Sequence, residues 1–274
     1  MSAQAHTSDT ATLDRRTLAG DHRRLAALLR PGMHVLDVGC GTGAITAGIA
    51  RAVAPAGTVL GIDRDPSLLD RARTRHADVP GLRFEERDVL GLDGDDRFDV
   101  VTAARVLQWI ERPADALARM VAAVRPGGHM VVLDYSHADL VWDPPPPAPV
   151  RRFRDAFLAW RDANGWDNRL AHRLSDLFLE SGLVEVSATV EDEIADRGHP
   201  AFDDALGVWR RVIDTLGPLM VEAGTLAAAD LDAAAAAYPE WCRQSARRQH
   251  MVLRAVVGRR PGGAPCNDPF GLPS

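Results

Sequence analysis

The stretch VLDVGCGTG, Val35–Gly43, joins an apolar strand pattern to a loop with glycine at every second position. Such a loop lets a small ligand approach the main chain closely. A dinucleotide site requires the spacing G-x-G-x-x-G, whereas Gly39, Gly41 and Gly43 give G-x-G-x-G. Asp37 would repel a pyrophosphate at the start of the following helix, but it would attract an ammonium group. The loop therefore fits a cationic or zwitterionic nucleoside better than a diphosphate.

Two acidic positions further along the chain fit the same ligand. The segment VLGIDRD ends a second strand pattern with Asp63, 20 residues after Gly43, and a carboxylate there can accept two hydrogen bonds from a ribose diol. The segment FEERDV places Asp88 and Val89 after a third strand pattern, where a carboxylate and a backbone N–H can bind the edge of an adenine. The ribose argument alone fits NAD equally well.

Strand and helix patterns alternate on both sides of the loop. Strands are predicted at 33–38, 58–62, 82–86, 98–102 and 128–134, and helices at 12–29, 43–53, 66–76 and 113–124. This alternation predicts an α/β fold, a Rossmann-like doubly wound sheet of seven strands, with its site at the carboxyl ends of the strands.

The sequence changes after Tyr135. The segment WDPPPPAPVRRF (142–153) is expected to form a stiff extended spacer, and mostly helical patterns follow it. We divide the chain into an N-terminal helical segment (1–30), a nucleoside-binding core (31–139), a cap segment (140–170), a core helix and strand (171–197), a helical cap insertion (198–249), the last core strand (250–258) and a disordered tail (259–274).

Composition excludes several classes of protein. The net charge of −6 argues against a nucleic-acid partner, and no apolar run is long enough to cross a membrane. All 32 basic residues are arginine, which excludes a Walker phosphate loop and a Schiff-base enzyme because both need lysine. The sparse cysteines and the absence of a secretory signal pattern predict a cytoplasmic protein.

Five segments, in this order and at normal spacing, resemble the motifs of class I S-adenosylmethionine-dependent methyltransferases: VLDVGCGTG, VLGIDRD, ERDV, FDVVTAARVLQWI and AVRPGGHMVVLD. They are most similar to the small-molecule branch that includes quinone-biosynthesis methyltransferases. The resemblance covers roughly residues 30–135. It implies that the ligand of the loop is S-adenosylmethionine, with S-adenosylhomocysteine as the product.

The resemblance also implies a set of cofactor-binding residues: Arg16, Asp37, Gly39, Gly41, Asp63, Arg64, Asp88, Val89 and Arg105. Within this set, Asp37 would lie near the cofactor ammonium, Asp63 would bind the ribose hydroxyls and Arg16 would meet the cofactor carboxylate. Asp88 and Val89 would hold the adenine.

Methyl transfer is an in-line displacement, and it needs a base only if the acceptor must lose a proton. The candidates are His137, which follows the fifth strand, and His22, on the N-terminal helix that could close over the cofactor. Tyr135 could orient an acceptor hydroxyl. Asp134 ends the fifth strand, but no second and third ligand accompany it, so we expect no metal site.

The cap is expected to build the pocket for a small-molecule acceptor. Five of the six tryptophans follow residue 140, which suggests an apolar or aromatic acceptor of oxygen, nitrogen or carbon type, in the biosynthesis of a bacterial natural product. A homodimer interface is the alternative use of this surface. The competing functions are non-methylating chemistry such as cyclisation or decarboxylation in the same fold, an NAD-type oxidoreductase, and a binding module.

Overall fold

The computed structural model describes residues 10–94 and 97–262. Eight strands lie in these ranges: β1 (His34–Val38), β2 (Thr58–Asp63), β3 (Leu82–Glu86), β4 (Phe98–Ala104), β5 (Val124–Asp143), β6 (Val184–Val190), β7 (Glu193–Asp196) and β8 (Arg248–Arg259). The α-helices of the same ranges are α1 (Thr10–Arg15), α2 (Leu18–Asp21), α3 (Arg23–Leu28), α4 (Ala44–Val53), α5 (Pro66–Arg75), α6 (Pro113–Ala123), α7 (Ala148–Ala163), α8 (Leu170–Glu180), α9 (Phe202–Glu222) and α10 (Ala228–Gln244).

One sheet organises the molecule. Its strand order is β3-β2-β1-β4-β5-β8-β6, and β7 also pairs with β8. Neighbouring strands from β3 to β5 are parallel, whereas β8 runs antiparallel to β5, β6 and β7. The predicted doubly wound α/β sheet is therefore confirmed. The parallel pairing brings the loops that follow β1, β2, β4 and β5 to one edge.

The inner strands are apolar on both faces because helices cover both sides of the sheet. Successive side chains point to opposite faces, so Val35 packs in the cluster beneath α3 and α4, while Leu36 packs in the cluster beneath α6 and α8. Both side chains are fully buried. The two clusters together fix β1 at the centre of the sheet and thereby the position of the glycine loop.

A third cluster forms the predicted helical cap. Helices α7, α9 and α10 pack over the end of β5 and the start of β8. Trp142 lies at the centre, with its ring centroid 5.1 Å from that of Trp209 and 5.9 Å from that of Trp241. These tryptophans are buried in the cap interior, so they stabilise the cap and do not line an open pocket.

Several elements differ from their sequence predictions. The segment 142–153, expected to be a stiff extended spacer, instead contains the end of β5 at Asp143 and the first turns of α7 from Ala148 onward. The helix predicted at 12–29 is broken into α1, α2 and α3, because the Thr17 side chain accepts a hydrogen bond from Gly20 and caps a new helix. The strand predicted at 128–134 continues to Asp143, since the later residues pair with β8, as Val141 does with His250.

The predicted tail also begins too early, because β8 extends to Arg259. The rest of that tail from residue 263 onward, and residues 1–9 of the predicted N-terminal segment, lie outside the described residues. Within the described ranges, no helix is both long enough and apolar enough to cross a membrane.

Candidate active site

The glycine loop turns from β1 into α4 with left-handed backbone at all three glycines. The φ angles are +68° at Gly39, +54° at Gly41 and +75° at Gly43. A Cβ at Gly39 would lie 2.4 Å from a Val106 methyl carbon, and one at Gly43 would lie 2.6 Å from the Phe84 ring. A Cβ at Gly41 would meet only Leu13, at 3.5 Å. Gly39 and Gly43 are thus required by packing, whereas Gly41 faces open space in a cleft.

Asp63, at the end of β2, holds the glycine loop in place. One carboxylate oxygen accepts the Gly41 N–H at 2.8 Å, and the other accepts the Asp65 N–H at 3.0 Å. A carboxylate has about four lone-pair sites, so these two bonds leave capacity for a ribose diol. Asp63 can therefore fix the loop and bind a sugar at the same time.

Asp37 is a buried carboxylate beneath the loop, with only 4% of its surface exposed. The Thr46 hydroxyl donates to it at 2.7 Å. Burial and the charge of Asp63 raise the pKa of Asp37 to about 7. A nearby ammonium group would stabilise the ionised form, so the residue suits a ligand that carries one.

Burial, together with the charges of Asp37 and Asp63, raises the pKa of the Cys40 thiol well above its ordinary value, which keeps Cys40 protonated and weakly nucleophilic.

A narrow cleft runs between this loop and the N-terminal helix. Its lining comprises Leu13, Arg16, Asp37, Gly39, Cys40, Gly41, Thr42, Ala44, Ile45 and Ala104. Leu13 and Arg16 come from α1 and the residue after it, so this segment covers the cleft. Burial and the charge of Arg105 lower the pKa of Arg16. The cleft therefore brings a cation and an anion, Arg16 and Asp37, to one small space.

The predicted adenine-binding residues lie outside this lining. Asp88 is exposed and caps a short 3-10 helix by accepting the Leu90 N–H at 2.8 Å, while Val89 is buried beneath it. Arg64 is exposed just after β2. These three residues stand at the ends of β2 and β3, next to the glycine loop in the strand order, but the cleft does not extend to them.

Arg105 follows β4 and links four elements. Its backbone is left-handed, with φ +63°, which is uncommon for a residue with a side chain. The guanidinium donates to the Tyr135 hydroxyl at 2.8 Å, to the Asp21 carbonyl at 3.1 Å and to Glu193 at 2.5 Å. Burial lowers the pKa of Arg105, but Tyr135, Glu193 and Asp21 outweigh this effect and raise it above its ordinary value. Arg105 is thus a permanent cation at the site.

Of the three candidate catalytic residues, Tyr135 is part of this network, and His22 is linked to it through the charge of Arg105. Tyr135 is half-buried, its hydroxyl lies 3.5 Å from both Glu193 oxygens, and burial raises its pKa. His22 is fully buried, with Nε2 3.0 Å from the Thr102 hydroxyl. Burial and the charge of Arg105 lower the pKa of His22 to about 3, so the ring is neutral at ordinary pH.

His137, the third candidate, is held by Gln108. The Gln108 amide nitrogen donates to the Arg105 carbonyl at 3.2 Å, so the amide oxygen faces His137 Nε2. This assignment makes Nε2 the protonated nitrogen and leaves a lone pair on Nδ1, which has no hydrogen-bond partner among the described residues. Burial, then the charges of Arg161 and Arg154, lower the pKa of His137 well below its ordinary value.

Asp134 is fully buried beside this group at the end of β5. It accepts the backbone N–H groups of Gln108 at 3.2 Å and of Tyr135 at 2.9 Å. Burial raises its pKa to about 6. Asp134 therefore positions the loop after β4 against β5. In the ranges that the structure describes, it belongs to no cluster of three metal-ligating side chains.

Three polar residues of this site are absent from the sequence predictions: Gln108, Arg161 and Glu193. The sequence could have indicated that Arg161 is buried, because it falls four residues after Phe157 on the apolar face of an amphipathic helix pattern. Gln108 follows the fourth strand directly, where site residues concentrate. No sequence pattern points to Glu193, because its position depends on the pairing of β7 with β8.

A doubly wound sheet with a left-handed glycine loop after β1 and a carboxylate after β2 defines a nucleoside-binding α/β protein. Residues 29–167, about half of the chain, match the family described as Methyltransferase domain. The chain therefore belongs to this methyltransferase family, whose members use S-adenosylmethionine.

Relatives of known name match the same part of the chain. Trans-aconitate 2-methyltransferase of Deinococcus radiodurans is 40% identical over 112 residues, which cover 40% of this chain and 42% of that protein. The ubiquinone/menaquinone biosynthesis C-methyltransferase UbiE of Burkholderia cenocepacia is 37% identical over 136 residues, 46% of this chain and 54% of that protein. The chain spans about half the length of the curated relatives it matches.

Solved structures share the fold at low sequence identity. A phosphoethanolamine N-methyltransferase of Haemonchus contortus, in complex with S-adenosylhomocysteine, is similar with a TM-score of 0.53 and 16% identity, over 89% of this chain and 52% of that one. The [4+2]-cyclase SpnF is similar with a TM-score of 0.52 and 22% identity, over 88% and 82%. At these identities the likeness establishes the fold alone.

Proposed function

We propose that this chain binds S-adenosylmethionine and transfers its methyl group to a small organic acceptor. The observation that carries the proposal is the glycine loop, in which Gly41 opens the main chain to the cleft while Asp37 lies buried below it with a raised pKa. A pyrophosphate would be repelled by that carboxylate, whereas the amino-acid end of a sulfonium nucleoside would be attracted. Membership of the methyltransferase family supports the same ligand.

The residues of the chain would bind and orient the two reactants. S-adenosylmethionine supplies a methyl group on a positively charged sulfur, which already is a good leaving group. Asp37 and Arg16 would pair with its ammonium and carboxylate groups, and Asp63 would accept hydrogen bonds from its ribose. The other residues predicted from the resemblance, Arg64, Asp88 and Val89, would hold the adenosine end. Alignment of this kind is worth roughly 7–11 kcal/mol of the barrier.

The acceptor would lie against the carboxyl ends of β4 and β5. Ala104 borders the cofactor cleft and also packs against the cap cluster, and the half-buried side chains of Trp109 and Tyr135 pack against that cluster too. This aromatic surface supports an apolar or aromatic acceptor. The arginine-only, alanine-rich composition supports a role in the biosynthesis of a bacterial natural product, in the cytoplasm and without a nucleic-acid partner.

Proton handling, where the acceptor needs it, falls to Tyr135 and His137 in this proposal. Tyr135 stands between Arg105 and the exposed carboxylate of Glu193, so its hydroxyl can orient an acceptor oxygen and pass a proton outward. His137 offers the unpartnered Nδ1 lone pair. Burial lowers the pKa of His22 as it does that of His137, and His22 is less suited because its Nε2 lies against Thr102 and not at the surface proposed for the acceptor.

A second function has a specific observation in its favour. The cyclase SpnF has the same fold, and a non-methylating reaction would need the same cofactor cleft. Product analysis separates the two functions, because only methyl transfer converts S-adenosylmethionine into S-adenosylhomocysteine. Turnover of an acceptor without that product would favour the second.

The first test is calorimetric titration with S-adenosylhomocysteine, with NAD as the paired control. Micromolar binding of S-adenosylhomocysteine alone would support the proposal, and an acceptor screen by mass spectrometry would follow. Binding of NAD alone would contradict it and would make Asp37 the anomaly to explain. Light scattering on the same samples would test for a homodimer.

Asp63→Ala is expected to weaken S-adenosylhomocysteine binding at least about tenfold, because a charged acceptor of ribose hydrogen bonds is lost together with the support of Gly41. Exposed Asp70→Ala, on the adjacent α5, is the control and should bind normally. Unchanged affinity in Asp63→Ala would remove this residue from the site.

A further inference from the structure

Arg161 is a fully buried cation inside the cap. Its guanidinium carbon lies 4.7 Å from the ring centroid of Trp109, 5.6 Å from that of Phe157 and 5.7 Å from that of Trp166. We call these three rings the aromatic cage. Burial lowers the pKa of Arg161 to about 10, so the side chain still carries its charge at neutral pH.

Only two of the three guanidinium nitrogens of Arg161 donate hydrogen bonds to described residues. Nε donates to the Asn168 side-chain oxygen at 2.8 Å, and Nη2 donates to the Gln108 carbonyl at 2.9 Å. Nη1 is buried and has no hydrogen-bond partner among the described residues. Two strong N–H donors are therefore left without an acceptor.

The nearby carboxylates act on Arg161 only at longer range. Asp134 and Asp162 both attract the guanidinium, but neither forms a direct ion pair with it in the described part of the chain. The Gln108 peptide group separates Asp134 from Arg161, since it donates to the first and accepts from the second. Asp162 is bound to Asn168 instead.

A buried cation with a free donor is costly unless an anion meets it. A methionine or leucine would fill the same aromatic surroundings without that cost. The cage also adjoins the reaction site, because Gln108 connects Arg161 to His137 and, through the Arg105 carbonyl, to the end of β4. The unmet donor thus lies beside Trp109, whose ring belongs to the surface proposed for the acceptor.

From this arrangement we infer that the acceptor is an aromatic or apolar acid, whose carboxylate is bound by Nη1 of Arg161 while its body packs on the half-buried ring of Trp109. This inference rests on the proposed function, and it names the acceptor class for the same site. A guanidinium donates two parallel hydrogen bonds to a carboxylate, and the low local dielectric strengthens them. A neutral amide of the same shape would not be bound in this way.

The test is calorimetry with benzoate and with benzamide, its uncharged analogue, on protein saturated with S-adenosylhomocysteine. Benzoate should bind saturably and at least about tenfold more tightly than benzamide. Arg161→Met should remove this preference, and Arg161→Lys should retain part of it. Arg152→Met, at an exposed position on the same helix, is the matched control and should keep the full preference.

The outcomes separate this inference from the function on which it rests. Failure of S-adenosylhomocysteine to bind at all would overturn the proposed function. Normal binding of that nucleoside, with no benzoate binding or with equal affinity for benzamide, would overturn only the acid preference. If Arg161→Met no longer binds the nucleoside, the test of the acid preference passes to Arg161→Lys. A folded Arg161→Lys variant that binds benzoate and benzamide equally contradicts the inference. A reduced preference for benzoate in that variant supports it.

Discussion

Gly41 and Gly43 have the same backbone conformation, but a side chain would act differently at each. In Gly41→Ala, the left-handed φ costs about 1–2 kcal/mol, and the new Cβ projects into the cleft. In Gly43→Ala, the Cβ also collides with Phe84 at 2.6 Å. We therefore expect Gly41→Ala to lose most nucleoside binding with a modest loss of stability, and Gly43→Ala to be clearly less stable.

Urea unfolding and calorimetry on both variants check this difference. Gly91→Ala is the control, because a Cβ there meets nothing within 4 Å and the φ angle lies outside the left-handed region. Normal nucleoside affinity in Gly41→Ala would show that the cleft does not hold the cofactor at this glycine.

Asp37 is expected to make nucleoside binding depend on pH. In the free protein its pKa is raised to about 7, and an ammonium group nearby would lower it, so binding would favour the ionised form. Affinity should therefore rise as the pH increases through about 7, with release of up to one proton. Titrations in buffers of different ionisation enthalpy measure that proton directly. Asp37→Asn should bind more weakly and without proton release; proton release that persists in this variant would point to another group.

Some residues of the candidate site could be predicted from the sequence, and others could not. Asp37, Gly41 and Asp63 could be predicted because they follow strands within a local spacing, and parallel strands bring their ends together. Glu193 could not, because its contacts depend on the pairing of β7 with β8. The position of Arg161 on an apolar helix face could have indicated burial, but not the contacts that it makes with Gln108 and Asn168. The roles of all these residues stay predictions until binding is measured.

Helix α1 is the element that would govern access to the cofactor cleft. None of its residues is buried, and polar contacts hold it: Asp14 pairs with Arg71 and Arg75 on α5, and Arg15 pairs with Asp204 on α9. Leu13 in turn lies over Gly41. A helix with no buried residue, tied to its neighbours by polar contacts of this kind, can open without disturbing the core.

Asp14→Ala is therefore expected to speed S-adenosylhomocysteine dissociation several-fold, since it removes both contacts with α5, while the unfolding free energy changes by less than about 1 kcal/mol. Stopped-flow fluorescence would measure the rate. Arg73→Ala, which breaks an exposed pair within α5, should leave the rate unchanged. An unaltered rate in Asp14→Ala would mean that α1 does not control release.

Helices and strands could be predicted where the sequence pattern that specifies them is local. The strands β1 to β4 and the helices that begin at Pro66 and Pro113 were located to within about two residues. The segment 12–29 was not, because periodicity alone does not reveal that Thr17 caps a new helix. The continuation of β5 past residue 134 could not be read from the sequence either, since it exists only through pairing with β8.

Across the whole molecule, His22 is expected to make stability depend on pH. Its folded pKa is lowered to about 3, so below the ordinary value of 6.5 the unfolded chain binds a proton that the folded protein does not. Stability is then lost as the pH falls from about 6.5 toward 3, by about 1.4 kcal/mol per pH unit for this residue. Other buried groups also titrate in this range, so the effect of His22 is measured as the difference in unfolding free energy between the wild type and a His22 variant.

The measurement is the unfolding free energy of the wild type and of His22→Gln at pH 7 and pH 5. The advantage of the wild type should shrink by about 2 kcal/mol between these values. His199→Gln, at an exposed position, is the control. A difference that stays constant with pH would show that His22 takes up a proton without cost in the fold.

For the whole molecule, the fold class followed from the alternation of strand and helix patterns, whereas the order of the strands is known only from the structure. The position of the cap did not follow from those patterns either, because the long β5 determines it. Residues 141–143 of β5 pair with residues 248–250 of β8 after a register shift between Ser136 and Val141, so the ladder of these two strands resumes in the cap. Rotation of the cap as a rigid body would have to break that ladder.

The pairing of β5 with β8 in the cap has a consequence for catalysis and for evolution. Because this pairing opposes rotation of the cap, opening of the cofactor cleft would depend on the N-terminal segment that covers it and not on movement of the cap. For the same reason, new acceptor preferences would arise by exchange of individual cap side chains on a constant frame, without any change in hinge geometry.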